Sequence, residues 1–219
     1  MYTAMLLVRH GQEELECFAG EADGQGPSLS TVGREQAQLL AEHLVHTAWQ
    51  RAVCIYHSPR RRCAQTASIL ARRLALPCDP DGELRSLDPD SGPISPWDSK
   101  ANEISSIPPL VPHVSAVPGG EPWATFVDRS GRALCRIFDR HTAQTVIVVA
   151  HSGTIAAAMH TLAGVPMAEA TGFYADADFC STTEWRRVPS PHSQVNPAGQ
   201  FVLKYLNSTA HLSAPRPRG

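Results

Sequence analysis

Two short runs, Met5-Leu6-Leu7-Val8 and the hexapeptide TVIVVA at 145–150, have almost no polar interruption. A strand that is apolar on both faces must be covered on both faces, which is the situation of a parallel strand inside a layer of helices. Helical patterns separate the strand patterns. Ser30 reads as the N-cap of a helix running to about His46, with Ala37, Leu40, Ala41 and Leu44 on one face. Ala52–Tyr56 reads as a second strand and Arg62–Leu74 as a second helix, with Cys63, Ala67, Leu70 and Leu74 in register. Pro122 suits the first turn of a third helix that turns Trp123, Phe126, Val127, Leu134 and Phe138 inward. A further helix follows from Gly153 to about Leu162, and Cys180–Trp185 and Gln200–Leu206 read as later strands, antiparallel at the sheet edge. Strands alternating with helices build right-handed βαβ units. The expected fold class is therefore α/β: a three-layer α/β/α sandwich with a mostly parallel central sheet.

At 219 residues the chain is long enough for one well-cored domain, expected to span 1–219. An irregular stretch rich in Pro, Ser and Asp, at about 79–120, reads as an active-site cover. Net charge is −2, and the only dense basic cluster, Arg60-Arg61-Arg62, is too short to track a polyanion, so a nucleic-acid partner is not expected. No apolar stretch reaches the length of a membrane span, and no signal-peptide pattern precedes Met5, so the expected location is cytoplasmic. The six cysteines lack metal-finger spacing; Cys54, Cys63 and Cys135 read as buried small hydrophobes.

In doubly covered parallel sheets, ligands bind beyond the carboxyl ends of the strands. The residues that should converge there are Arg9-His10, His57-Ser58 with the arginine cluster, and His151-Ser152. An imidazole beside a permanent cation suits an anion, most simply phosphate. Gly11 lets the chain turn and a ligand approach the backbone. Of the ten histidines, His43, His46, His113, His141 and His192 have no such placement. His160 reads as a packed or surface residue and His211 as structural, and His57 could line the pocket.

The set LVRHG (7–11), SPRRRCAQTA (58–67), PGGE (118–121), VVAHSG (148–153) and LNSTAHL (206–212), with LSTVGREQAQLLAEHL (29–44), resembles the histidine phosphatase superfamily, the phosphoglycerate-mutase-like fold, in its small-phosphatase branch. The resemblance spans nearly the whole chain in the family's order. It implies a metal-independent phosphatase that hydrolyses a small phosphorylated metabolite. His10 is then the nucleophile that becomes phosphohistidine, splitting one hard step into two. Arg9 and Arg62 are expected to hold the nonbridging phosphoryl oxygens, and His151 to donate a further hydrogen bond. Gly11, Gln12, Glu13, Glu121 and Ser152 are expected to border the substrate. Neither cofactor nor metal is implied, since the transfer rests on positioning and electrostatics. A homodimer is a family-level expectation. Arg60 and Arg61 read as solvated.

Two departures stand out. Family members usually carry Glu-Thr or Glu-Ser after Arg-His-Gly and an Asn soon after, where this chain has Gln12, Glu13 and Glu16. Glu16, at the Asn position, would bring negative charge towards a phosphate, which is unfavourable unless it points away or binds a cationic group of the substrate. The family's general acid, the Glu of a Leu-Arg-Glu motif, is replaced here by Ser86, after Leu84-Arg85. Asp88 is the substitute candidate, with Glu83, Asp90 and Glu121 behind it. The competing readings are a phosphoglycerate-type mutase and a non-catalytic phosphate-binding regulatory protein. The cover, with Trp97, Ile104, Ile107 and Leu110, suggests a substrate larger than glycerate.

Overall fold

The computed structural model describes residues 1–14, 25–87, 112–115, 121–167, 175–189 and 199–213. Its strands are β1 (Thr3–Arg9), β2 (Ile55–His57), β3 (Cys78–Pro80), β4 (Thr145–Ala150), β5 (Thr182–Val188) and β6 (Gln200–Ser208). They form one sheet in the order β3-β2-β4-β1-β5-β6. The β1–β4, β2–β4 and β2–β3 pairings are parallel, and β5 runs antiparallel to both β1 and β6. The mostly parallel sheet is as expected, with the antiparallel element on one side. β3 is a difference: its residues overlap the start of the expected cover, yet they pair with β2. A three-residue edge strand ending in Pro80 offers too little periodicity to be read from sequence.

The helices are α1 (Thr31–Val45), α2 (Arg61–Leu74), α3 (Trp123–Arg140) and α4 (Ser152–Thr161). Side chains alternate across the sheet as the pleat requires. Ala4, Leu6, Val8, Ile147 and Val149 face one way, onto Ala37, Leu40, Leu44, Ala67 and Leu70 of α1 and α2. Met5, Leu7, Val146 and Val148 face the other way, onto Leu134, Ile137 and Phe138 of α3 and Ile155 of α4. These are the three expected layers, and the inward residues named for α3 are all buried.

Ser30 caps α1 as expected, its Oγ accepting from the Gly33 N–H at 3.0 Å. Arg60 corrects an expectation. It stands at the N-cap position of α2, without a capping side-chain bond, and is only 5% exposed. Cys63 packs in the core as read, while Cys135 is half-buried on its helix. Burial pushes the Cys54 and Cys135 thiols up, Cys78 to about 11 and Cys180 to about 12, so these sulfurs stay protonated and inert at neutral pH.

Candidate active site

β4 lies between β1 and β2, so the carboxyl ends of the three strands are adjacent. The register continues past the strands: the His10 N–H donates to the Ala150 carbonyl and the Ser58 N–H to the Val149 carbonyl. His10, His151 and Ser58 therefore stand side by side, with Arg62 entering from the first turn of α2. All four are buried.

Arg62 organises the cluster. Its Nε–H donates to His10 Nε2 at 3.1 Å, and its Nη2 donates to His151 Nδ1 at 3.3 Å. An arginine only donates, so both imidazole nitrogens accept, and this fixes the tautomers. The His10 proton is on Nδ1 and is donated to the Gly11 carbonyl at 2.8 Å. The lone pair of Nε2 is thereby presented to the centre of the cluster. The His151 proton is on Nε2 and is donated to Ser58 Oγ at 2.9 Å, with Cys63 Sγ 3.5 Å from the same nitrogen. The His10 and His151 rings meet edge to face, with centroids 5.3 Å apart.

Arg9 reaches the site from the other side. Its Nη1 donates to the Ala177 carbonyl, and its guanidinium lies 4.0 Å over the Phe179 ring. That ring also stands 5.7 Å from the His10 ring. A guanidinium stacked on a ring keeps its charge while one face is dry. Asp176 lies on the same segment; burial holds its carboxyl above the usual range, against the pull of the Ala177 N–H and of Arg9.

The glycines act by close approach. A Cβ on Gly11 would stand 2.4 Å from the Gly33 carbonyl oxygen, and one on Gly33 would stand 2.0 Å from the Gln12 oxygen. The first turn of α1 is thus pressed onto the loop after β1, and Gly11 leaves room for this backbone contact. The Gly11 N–H donates to Thr66 Oγ1, whose own hydroxyl donates to the Arg62 carbonyl. Gln12 is held by its backbone, its N–H donating to Gln36 and its carbonyl accepting from Ser30. Gly26, with φ of 72°, passes so close to Arg62 that a Cβ would stand 3.1 Å from Nη1.

Glu13 is close at hand: its carboxylate is 2.9 Å from Arg62 Nε, and both side chains are almost wholly buried. Ser152 is buried at the first turn of α4. Glu121 is ion-paired with Arg129 of α3. Arg129 also donates to the carbonyls of Glu83, Arg85 and Ser86, so it clamps the turn that carries the departed acid motif. Glu83 is engaged by Arg136 on the outer face of α3. Asp88, Asp90, Glu16 and the apolar residues named for the cover lie outside the described residues. Ser58 stands at the strand ends as expected, whereas the contributions of Thr66, Gly33, Gly26 and Phe179 carried no reading in the sequence. Thr66 and Gly33 at least sit within recognisable motifs, whereas Phe179 precedes a distant strand and gives no signal. His57 donates through Nδ1 to the Ser58 carbonyl, and His141 is occupied by Tyr56 and Gln144.

Residues 5–188 match the histidine phosphatase superfamily (branch 1). A metal-independent phosphoserine phosphatase of Arabidopsis thaliana is 33% identical over 166 residues, covering 71% of this chain and 66% of that protein. Phosphoglycerate mutase-like protein 4 of the same plant is 30% identical over 159 residues, covering 70% and 68%. A mycobacterial glucosyl-3-phosphoglycerate phosphatase, solved with inorganic phosphate, superposes with a TM-score of 0.67 at 25% identity, covering 96% of this chain and 99% of the other. The class that fold and site define is that of phosphoric monoester hydrolases. The chain belongs to the histidine phosphatase superfamily.

Proposed function

We propose that this chain hydrolyses a small phosphorylated metabolite by transferring the phosphoryl group to His10 Nε2 and then to water. One observation carries the reading: Nδ1–H is fixed on the Gly11 carbonyl, so the nucleophilic lone pair of Nε2 is aimed at a guanidinium. A phosphoryl group entering there meets a nucleophile on one side and forked donors on the other. Arg62 and Arg9 then hold the nonbridging oxygens. His151 Nδ1 accepts from Arg62, so to donate to the phosphoryl group from Nδ1 it must take up a proton. Charge spread over the transferred group is met by these cations, and no metal enters the scheme. The named activities of the relatives support a small phosphomonoester as substrate. The free thiols of Cys54, Cys63, Cys78, Cys135 and Cys180 suit a reducing compartment, in keeping with a cytoplasmic protein.

The test is phosphate release from p-nitrophenyl phosphate in EDTA, wild type against His10→Ala. The expected result is turnover that resists EDTA and is lost in His10→Ala, with an acid-labile phosphate on the wild-type chain. Turnover that survives His10→Ala, or that EDTA abolishes, overturns the reading.

A further inference from the structure

Both departures from the family pattern bear on one proton. An alkoxide leaving group needs a proton, and Ser86 cannot supply it; its hydroxyl is buried and finds no hydrogen-bond partner among the described residues. Glu13 is a carboxylate that the pattern does not call for. It lies 2.9 Å from Arg62 Nε, the same nitrogen whose N–H donates to His10 Nε2 at 3.1 Å. Carboxylate and nucleophile thus share one guanidinium nitrogen.

We propose that Glu13 donates the proton to the leaving oxygen, and that the substrate itself loads it. This rests on the phosphohistidine reading above. Arg62 is a buried cation and Glu13 its buried counter-ion, which keeps the carboxylate ionised. A phosphoryl dianion reaches His10 Nε2 only by taking the place of the Arg62 Nε–H, because that N–H lies on the Nε2 lone pair. Arg62 turns its donors to the phosphoryl oxygens, and Glu13 is left facing a dianion. Among the described residues, Arg62 of α2 pairs with Glu13, and the same guanidinium donates to His10 beyond β1 and His151 beyond β4. The arriving negative charge favours the protonated carboxyl group.

In the first step the Nε2 lone pair forms the N–P bond. The P–O bond to the leaving group breaks with its electron pair on oxygen, and the Glu13 proton goes to that oxygen, releasing the alcohol. In the second step a water oxygen attacks phosphorus, and the N–P electron pair returns to Nε2. The Glu13 carboxylate takes the proton of the water and, as phosphate leaves, returns to solvent the proton it took up when the substrate bound; monoester and water thus become alcohol and inorganic phosphate, and Glu13 is again the carboxylate paired with Arg62.

The experiment compares p-nitrophenyl phosphate, whose leaving group needs no acid, with glycerol 2-phosphate, whose leaving group does. In Glu13→Gln, turnover of glycerol 2-phosphate is expected to fall about 10²-fold or more. The first-turnover burst of p-nitrophenolate is expected to persist and leave phosphate on His10. Adding Ser86→Glu to that variant is expected to restore cleavage of the alkyl ester. Should Glu13→Gln not fold, Glu13→Asp is expected to show a smaller loss of the same selectivity. The proposal is overturned if Glu13→Gln lowers the p-nitrophenolate burst as much as the turnover of glycerol 2-phosphate, or lowers neither, or if the selective loss follows Asp176→Asn instead. Wild-type turnover that survives His10→Ala removes the phosphohistidine reading. A wild-type burst with alkyl turnover indifferent to Glu13 removes Glu13 alone.

Discussion

His151 is held from both sides: Arg62 donates to Nδ1, and Ser58 Oγ accepts from Nε2 at 2.9 Å. The second bond decides which nitrogen faces the pocket, so Ser58 positions His151 without entering the chemistry. Ser58→Ala is expected to lower kcat about tenfold, the equivalent of one hydrogen bond, with KM changing less. Steady-state kinetics with p-nitrophenyl phosphate check this, and a pH–rate profile shifted by the change separates positioning from a general loss of fold. At this scale the motifs made His10, Arg62 and His151 legible, because each follows a strand pattern that points to one sheet edge. Arg60 shows the limit. Two residues apart in sequence, Arg60 and Arg62 look alike and both are buried, yet one stands at the N-cap of α2 and the other projects into the site.

The element that positions the nucleophile is α1, although it supplies no reacting group. Its Gly33 touches the loop after β1 backbone to backbone, and Ser30 and Gln36 hold Gln12. Gly33→Ala forces a Cβ to within 2.0 Å of the Gln12 carbonyl oxygen, and backbone cannot rotate away as a side chain can. The expected cost is about 1–3 kcal/mol of stability, as for other overpacked sites. Because the displaced loop carries His10, the variant also loses kcat; thermal unfolding and phosphate release together measure both. The long helices were legible since apolar spacing and a Ser cap agree over many residues. β3 was not, since three residues carry no period. The start of β5 was also misplaced: Cys180, read as the first strand residue, adopts φ of 56° and lies outside the ladder.

Over the whole molecule, the short helical turn Ala210–Leu212 after β6 carries His211 back to α1, where its ring lies 5.8 Å from that of His43. Burial, with His43 facing it, lowers the His211 pKa to about 4, against the pull of a hydrogen bond to the Cys180 backbone. The unfolded chain takes up this proton near the ordinary histidine value of about 6.5, and the folded chain does not until about 4. Stability is therefore complete above the upper value and declines as the pH falls through that window. Denaturant unfolding from pH 7 to pH 4 is expected to show this decline, and His211→Gln to flatten it. The sequence by itself determined the layers, the direction of most strands and the three strand ends that carry His10, Arg62 and His151. It did so because those depend on periodicity and on local order along the chain. Only the tertiary structure decided what those groups touch. The placing of Glu13 on Arg62, of Phe179 on Arg9 and of Arg129 on the turn at 83–86 depends on long-range contacts across the sheet and between loops. No local pattern encodes such contacts, because each partner is brought in by an element distant in sequence.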